Sequence, residues 1–337
     1  MKRVSWFFLV SVLMMVVLAG CGEKTQEDVL EDLGTTLEEL TGYKAKATMQ
    51  LETGNEPQTY DVEVWYQKEG FYRVMLNNKD KDQSQIILRN DDGVFVLTPA
   101  LNKSFRFQSD WPKTTSQSYL YESLVADILT DQERVFSQDE DHYTFETATN
   151  YQNKNLNKQE IQLNKKDLSP VKVEILDAEQ SPLVTLDFTE FDKNATFNDD
   201  DFEMERNMTG AQLSEPTLAS GQEEEMEILY PMYVPDGTSA SASKEVETED
   251  GTSYVQEYTG DKSFTLIQSQ ADAVPASTTS TNMAEGQPVD LGFTIGVQTG
   301  DALIWSHGGS EFYLASSDLE LEEMASVARS VYGTTEK

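Results

Sequence analysis

The one cysteine in this 337-residue chain, Cys21, stands directly behind Leu18-Ala19-Gly20. A thiol behind small residues at the end of a short apolar run is placed for one reaction, nucleophilic uptake of a diacylglyceryl group as a thioether. The flanks agree. Lys2 and Arg3 supply a positive start, and the apolar run Val4 to Leu18 is too short and wrongly flanked for a transmembrane span. Residues 1–20 are therefore expected to be a lipoprotein signal peptide, and Cys21 the lipid attachment residue, carrying acyl chains such as palmitate. The mature chain is then expected on the extracytoplasmic face of the cell membrane, held there by lipid. This use of the thiol leaves none for a disulfide or for cysteine catalysis.

Little else has the types and spacing of catalytic machinery. His142 lies in the polar stretch Asp139-Glu140-Asp141-His142 with no nucleophile in a local motif. His307-Gly308-Gly309-Ser310 imitates a lipase oxyanion loop, but no Gly-x-Ser-x-Gly elbow accompanies it, and the alternation on either side explains the glycines as a turn. Asp199-Asp200-Asp201 lacks the spaced ligands of a calcium loop, and no HExxH motif or Cys/His cluster occurs. No enzyme activity, cofactor or metal is expected. Charge narrows the partners further: 60 Asp and Glu against 25 Lys and Arg give −35, and removal of Lys2 and Arg3 with the signal peptide takes this to −37. Such a surface repels nucleic acid and anionic headgroups, so the lipid must do the anchoring.

With 38% hydrophobic and 10% aromatic residues, a chain of this length can bury a core and points to two domains. Thr25 opens a helix with Leu30, Leu33, Leu37 and Leu40 on one face and Gly42 as its stop. Antiparallel strands follow at 44–51, 59–67, 71–76, 84–89, 94–98 and 103–107, joined by short turns, and Tyr60, Val62, Val64 and Tyr66 alternate with their neighbours. The period turns helical over 119–129 through Leu120, Leu124 and Ile128, before strands resume at 143–148, 160–163, 171–176 and 183–188. Residues 207–225 have almost no large apolar side chains and read as a linker. Beyond it the pattern predicts strands at 228–234, 252–259, 263–270, 293–297, 302–306 and 310–315, the last two facing each other across 307–309. A capping box at Ser317-Asp318-Leu319-Glu320 then opens a closing helix, and the Ser/Thr-rich stretch 272–288 is expected to be a mobile loop. The expected domains are a signal peptide (1–20), an N-terminal sheet domain (21–206), the linker (207–225) and a small α+β domain (226–337).

Residues 25 to about 203 resemble the LolA-like superfamily of outer-membrane lipoprotein carriers, in its Gram-positive, sporulation-associated lipoprotein form. The resemblance rests on the helix running into Tyr43 to Leu51 and on Phe71-Tyr72-Arg73 followed by Asn90-Asp91-Asp92-Gly93 and the strand to Pro99. It extends to Asp167-Leu168-Ser169-Pro170 with the strand to Ala178, then Phe188-Thr189-Glu190-Phe191 and Asp201-Phe202-Glu203. It implies a mainly β (α+β) fold, an incomplete antiparallel half-barrel covered by helices and here followed by the small α+β domain. In the carriers the half-barrel encloses a hydrophobic cavity for acyl chains. The lipid anchor and the added domain set this chain apart from a soluble shuttle. Two functions stay open, both in sporulation or spore envelope processes. In one, an acyl lipid or lipoprotein ligand enters a cavity lined by Tyr60, Val62, Val64, Tyr66, Phe71, Phe95, Leu120 and Leu124, against which stands a packed core of the same side chains. In the other, the chain is a tethered scaffold or activator of an envelope protein partner, docking it on a sheet edge or an acidic face.

Overall fold

The computed structural model describes residues 23–52, 57–79, 83–107, 110–112, 116–149, 158–177, 180–214, 226–248, 251–270, 280–283, 287–291, 294–307 and 309–331. Cys21 and the expected signal peptide lie outside them. Residues 1–39 and 40–337 form two compact units. In the first, helix α1 (Gln26–Glu39) starts from a reciprocal cap: Thr25 N–H donates to Asp28 Oδ2 (2.9 Å) and Asp28 N–H donates back to Thr25 Oγ1 (3.3 Å).

The second unit contains two sheets. The first holds twelve strands in the order β15-β6-β5-β4-β3-β2-β1-β11-β10-β9-β8-β7. Its first meander is β1 (Gly42–Leu51), β2 (Gln58–Gln67), β3 (Phe71–Asn78), β4 (Gln83–Asn90), β5 (Gly93–Thr98) and β6 (Lys103–Phe107). The second is β7 (Val135–Gln138), β8 (His142–Ala148), β9 (Lys158–Asn164), β10 (Pro170–Leu176) and β11 (Pro182–Asp192). β1 joins the two by pairing antiparallel with β2 on one side and β11 on the other. The sheet does not close into a barrel, so the half-barrel expectation holds. Helix α2 (Tyr121–Thr130) buries Leu124, Val125 and Ile128 and is tied to the sheet by Gln159 of β9, whose Nε2 donates to Asp127 Oδ2 (2.8 Å). The other sheet face is covered by helix α3 (Met204–Ser214): Phe202, Met208 and Ala211 bury Ile86, Leu88, Phe95 and Leu97. Residues 207–214 are thus helix and core, not linker. The i, i+4, i+7 spacing of Met204, Met208 and Ala211 makes an apolar stripe that the polar average of 207–225 conceals; residues 215–225 lie outside the described set.

The second sheet runs β12-β13-β14-β19-β18-β17-β16, from β12 (Thr238–Thr248), β13 (Gly251–Gly260), β14 (Phe264–Gln270), β16 (Pro288–Asp290), β17 (Ile295–Thr299), β18 (Ala302–His307) and β19 (Ser310–Ala315). His307 pairs with Ser310, which makes the expected hairpin. Helix α4 (Leu321–Arg329) follows, its capping box formed by Glu320 with Glu323 instead of beginning at Ser317; Ser316 Oγ takes the Leu319 N–H (2.9 Å). Three other expectations change. Residues 228–234 make only a bridge, Pro231 to Val331, because Pro231 and Pro235 remove ladder donors. β12 is a full strand that shows no apolar alternation, since its side chains are exposed on both faces. Within the stretch read as a mobile loop, β15 (Ser280–Met283) pairs parallel with β6.

Gly42 opens β1 instead of closing α1, and a close approach accounts for it. A Cβ there would sit 2.8 Å from the Tyr66 carbonyl oxygen and 3.2 Å from the Phe197 ring. Gly42→Ala is expected to lower stability by about 1–3 kcal/mol in a denaturant titration, the range for a residue forced against backbone.

Candidate functional site

Strand register divides the eight expected lining residues between two faces. Tyr60, Val62, Val64 and Tyr66 lie opposite Met49, Ala47, Ala45 and Tyr43 and share the face that α2 covers. Tyr60, Val62, Val64, Leu120 and Leu124 are buried at 2% exposure or less, and Tyr66 is partly buried. Phe71 and Phe95 belong to the opposite face. Phe71 pairs with Gln67, one step out of phase with the Tyr66–Tyr72 pair, and its ring lies 5.7 Å from Phe202. Phe95 is buried in the cluster under α3. The eight therefore do not surround one cavity.

The α2 face has a polar centre that the sequence reading missed. Tyr43 O–H donates to Glu122 Oε2 (2.9 Å) while its oxygen accepts the Tyr121 N–H (3.1 Å). The Tyr43 ring lies 5.4 Å from Tyr66, 6.2 Å from Tyr121 and 5.1 Å from Phe191, and Tyr66 lies 5.0 Å from Tyr72. The stem of Glu122 is partly exposed but its Oε1 is buried. Burial raises the pKa of this carboxyl, against the pull of its own backbone N–H and the Tyr72 and Tyr43 hydroxyls. Burial, with the Glu122 charge second, pushes Tyr66 up to about 12 and Tyr43 well above its usual value. The arrangement is a hydrogen-bonded tyrosine–carboxyl cluster in an apolar shell, with no nucleophile beside it.

A second feature lies where the two sheets meet. Gln85 of β4 is 9% exposed and holds the backbone of Ile295 by both amide atoms: its Oε1 accepts the Ile295 N–H (2.5 Å) and its Nε2 donates to the Ile295 carbonyl (3.1 Å). Thr294 Oγ1 donates to the same Oε1 (3.2 Å), and Lys103 of β6 bridges Glu311 of β19 (2.8 Å). Beside this clamp is a cavity of ≈ 50 Å³ lined by Tyr60, Asn78, Ser84, Gln85, Thr294 and His307, with Ser306 and Ser310 from the second sheet. The Ser84 hydroxyl is buried there without a hydrogen-bond partner among the described residues. The space suits a few ordered waters, at about 10–15 Å³ each. Of the expected lining residues, Tyr60 alone is in its wall. His307, read as a turn residue, is 6% exposed at this junction, while His142 is the partly exposed first residue of β8, with Nδ1 3.2 Å from Asp139 Oδ2. Among the described residues no group of His, Cys, Asp and Glu is placed to hold a metal.

An open antiparallel sheet with one face filled by a helix and a tyrosine–carboxyl cluster, clamped to a second sheet, defines a half-barrel fold. The chain belongs to the YdcC-like sporulation protein family, whose description, "Sporulation protein YdcC-like", matches residues 1–202. It is 46% identical over 341 residues to the sporulation protein YdcC of Bacillus subtilis (strain 168), with 100% of both chains covered. Among solved structures it is similar to a chain of the Pseudomonas aeruginosa MucA/MucB complex (14% identity, 91% of this chain and 99% of that one, TM-score 0.33). It is also similar to a LolA superfamily protein of Nitrosomonas europaea (13% identity, 54% and 99%, TM-score 0.31).

Two outcomes follow from this geometry. Because the folded-state pKa of Glu122 is raised above its unfolded value of about 4.3, the native state keeps the proton longer, and stability falls as pH rises from that value through the shifted one. Glu122→Gln should flatten this fall in denaturation midpoints measured upward in pH from the ordinary carboxyl range. Gln85→Ala strands the Ile295 N–H and C=O and is expected to cost about 1–3 kcal/mol, with faster amide exchange at Ile295 as its local signature.

Proposed function

We propose that this sporulation protein is a membrane-tethered extracytoplasmic lipoprotein that holds a protein partner, and that it neither carries lipid in its half-barrel nor performs catalysis. The observation behind this is the filling of the α2 face. Val62, Val64, Val74, Ile87, Leu120, Leu124, Phe145, Ile161, Val173 and Leu186 are all buried at 2% exposure or less, and the space beside Tyr60 is ≈ 50 Å³. Small-molecule pockets run to about 300–1,000 Å³, several times the size of this space. The anchor is supported by the Leu18-Ala19-Gly20-Cys21 sequence, which would keep a bound partner at the membrane surface. The −35 charge leaves the lipid as the attachment.

The test has two arms. Cys21→Ser in the full chain should move the protein from the membrane fraction to the soluble fraction; continued membrane residence removes the lipid anchor from the proposal. Protein purified natively should yield, on extraction and mass spectrometry, no acyl lipid beyond its covalent anchor. One such lipid per chain would replace the scaffold with a hydrophobic-ligand carrier.

A further inference from the structure

We propose that strand β12 and the groove beside it dock an extended, basic polypeptide segment, which adds to the second sheet as a new antiparallel strand; this rests on the scaffold reading above. Sheet edges are normally kept short or covered, because their unpaired N–H and C=O groups invite another strand. Three of the four edges here obey: β7 and β15 have 4 residues each and β16 has 3. β12 has 11, and among the described residues it pairs along one side only, with β13. Every side chain from Ser239 to Glu245 is exposed, and the first five, Ser239 to Ser243, are serine or alanine, small enough for a backbone to come alongside. The register shift at Ala240/Ala242 is held from within the hairpin, by Ser241 Oγ donating to the Glu257 carbonyl (3.0 Å).

The chemistry beyond the edge selects the occupant. Ala242, Ala240 and Ser239 lie opposite Glu257, Tyr258 and Thr259, so a long side chain on an added strand crosses small residues to reach β13. From Glu257 on β13 an open groove of ≈ 440 Å³ runs across the sheet, past Thr265 of β14 to the 40%-exposed Tyr313 of β19 and to Asp301. Glu257, opposite Ala242 and so one strand in from the edge, suits a Lys or Arg side chain through ion pairing. Lys244 of β12 already lies 3.6 Å from Glu257, and because both are largely exposed that bridge is weak and exchangeable. From Glu227 to Lys337 the chain has 18 acidic and 4 basic residues, and Lys244, Lys262 and Arg329 are engaged with Glu257, Glu323 and the Asp290 carbonyl. A second copy of a chain with charge −35 is repelled at this edge, whereas a basic segment is drawn to it.

The probe is a capped nonapeptide alternating lysine with threonine and valine, added to the full chain, with a glutamate-for-lysine peptide as its control. Amide exchange should slow along β12 at alternate residues with the basic peptide alone, and high salt should weaken the binding. Glu257→Gln is expected to weaken it about threefold, the scale of one exposed ion pair. Ala242→Trp, at an exposed position, should abolish it while leaving the thermal transition in place. Unchanged exchange in β12, equal binding of the acidic peptide, or slowed exchange accompanied by dimer formation would each overturn the proposal. None of these results bears on lipid content, so failure here with no bound lipid removes this site and leaves the scaffold reading standing.

Discussion

Everything on the first sheet hangs on the phase of β1. It is the seam between two meanders, and its alternation puts Tyr43, Ala45, Ala47 and Met49 on the dry face and Lys44, Lys46, Thr48 and Gln50 on the other. A slip of one residue would exchange the two sets and bury two lysines. The phase is protected at the start of the strand. Gly42 lets the Tyr66 carbonyl come close, and Lys44 on the wet side lies 4.2 Å from the Trp65 ring centroid, across from Arg73 at 4.5 Å. The β11 side absorbs its one irregularity at Lys46/Ala47 without losing the alternation. Once β1 is fixed, Tyr43 is fixed, and with it the anchor point of α2.

The dry face is then specified by polar groups as much as by apolar ones. A carboxyl placed among tyrosines is costly unless hydrogen bonds fix where it goes, so Glu122 accepts one arrangement of α2 over β1 where leucines alone would accept several. Asp127 does the same further along, its raised pKa set by burial and opposed by Gln159 and Ser116. At the junction, Gln85 binds Ile295 as a strand neighbour would. Interiors held by such contacts give way less readily to a variable guest than one filled by unbranched side chains.

Much of this was legible in the sequence. The two meanders, the 119–129 helix and the His307–Ser310 hairpin follow from period-2 and period-3.6 patterns joined by turn residues, while the half-barrel class came from the resemblance to a known family. What escaped did so for physical reasons. Phe71 and Phe95 were grouped with Tyr60 because apolarity does not say which face a residue takes when both faces are covered; only register does. Helix α3 hid inside a polar average. β12 had no alternation to detect, since nothing packs on either of its faces. Glu122 could have been suspected, as one of two acids, with Asp127, inside the apolar stripe Leu120 to Ile128, but its tyrosine partners come from strands some fifty to eighty residues earlier (Tyr72 and Tyr43), which no local pattern connects.

The parallel pairing of β15 with β6 has a consequence for how the molecule comes together in time. Ser280 meets Lys103, so one margin of the first sheet is completed by a segment made long after it. On a chain that emerges N-terminus first, β6 waits as an open margin through the appearance of β7 to β14. Contacts of such sequence separation are late and slow to form. This late pairing is therefore also the step that ends the exposure of β6 to neighbouring chains.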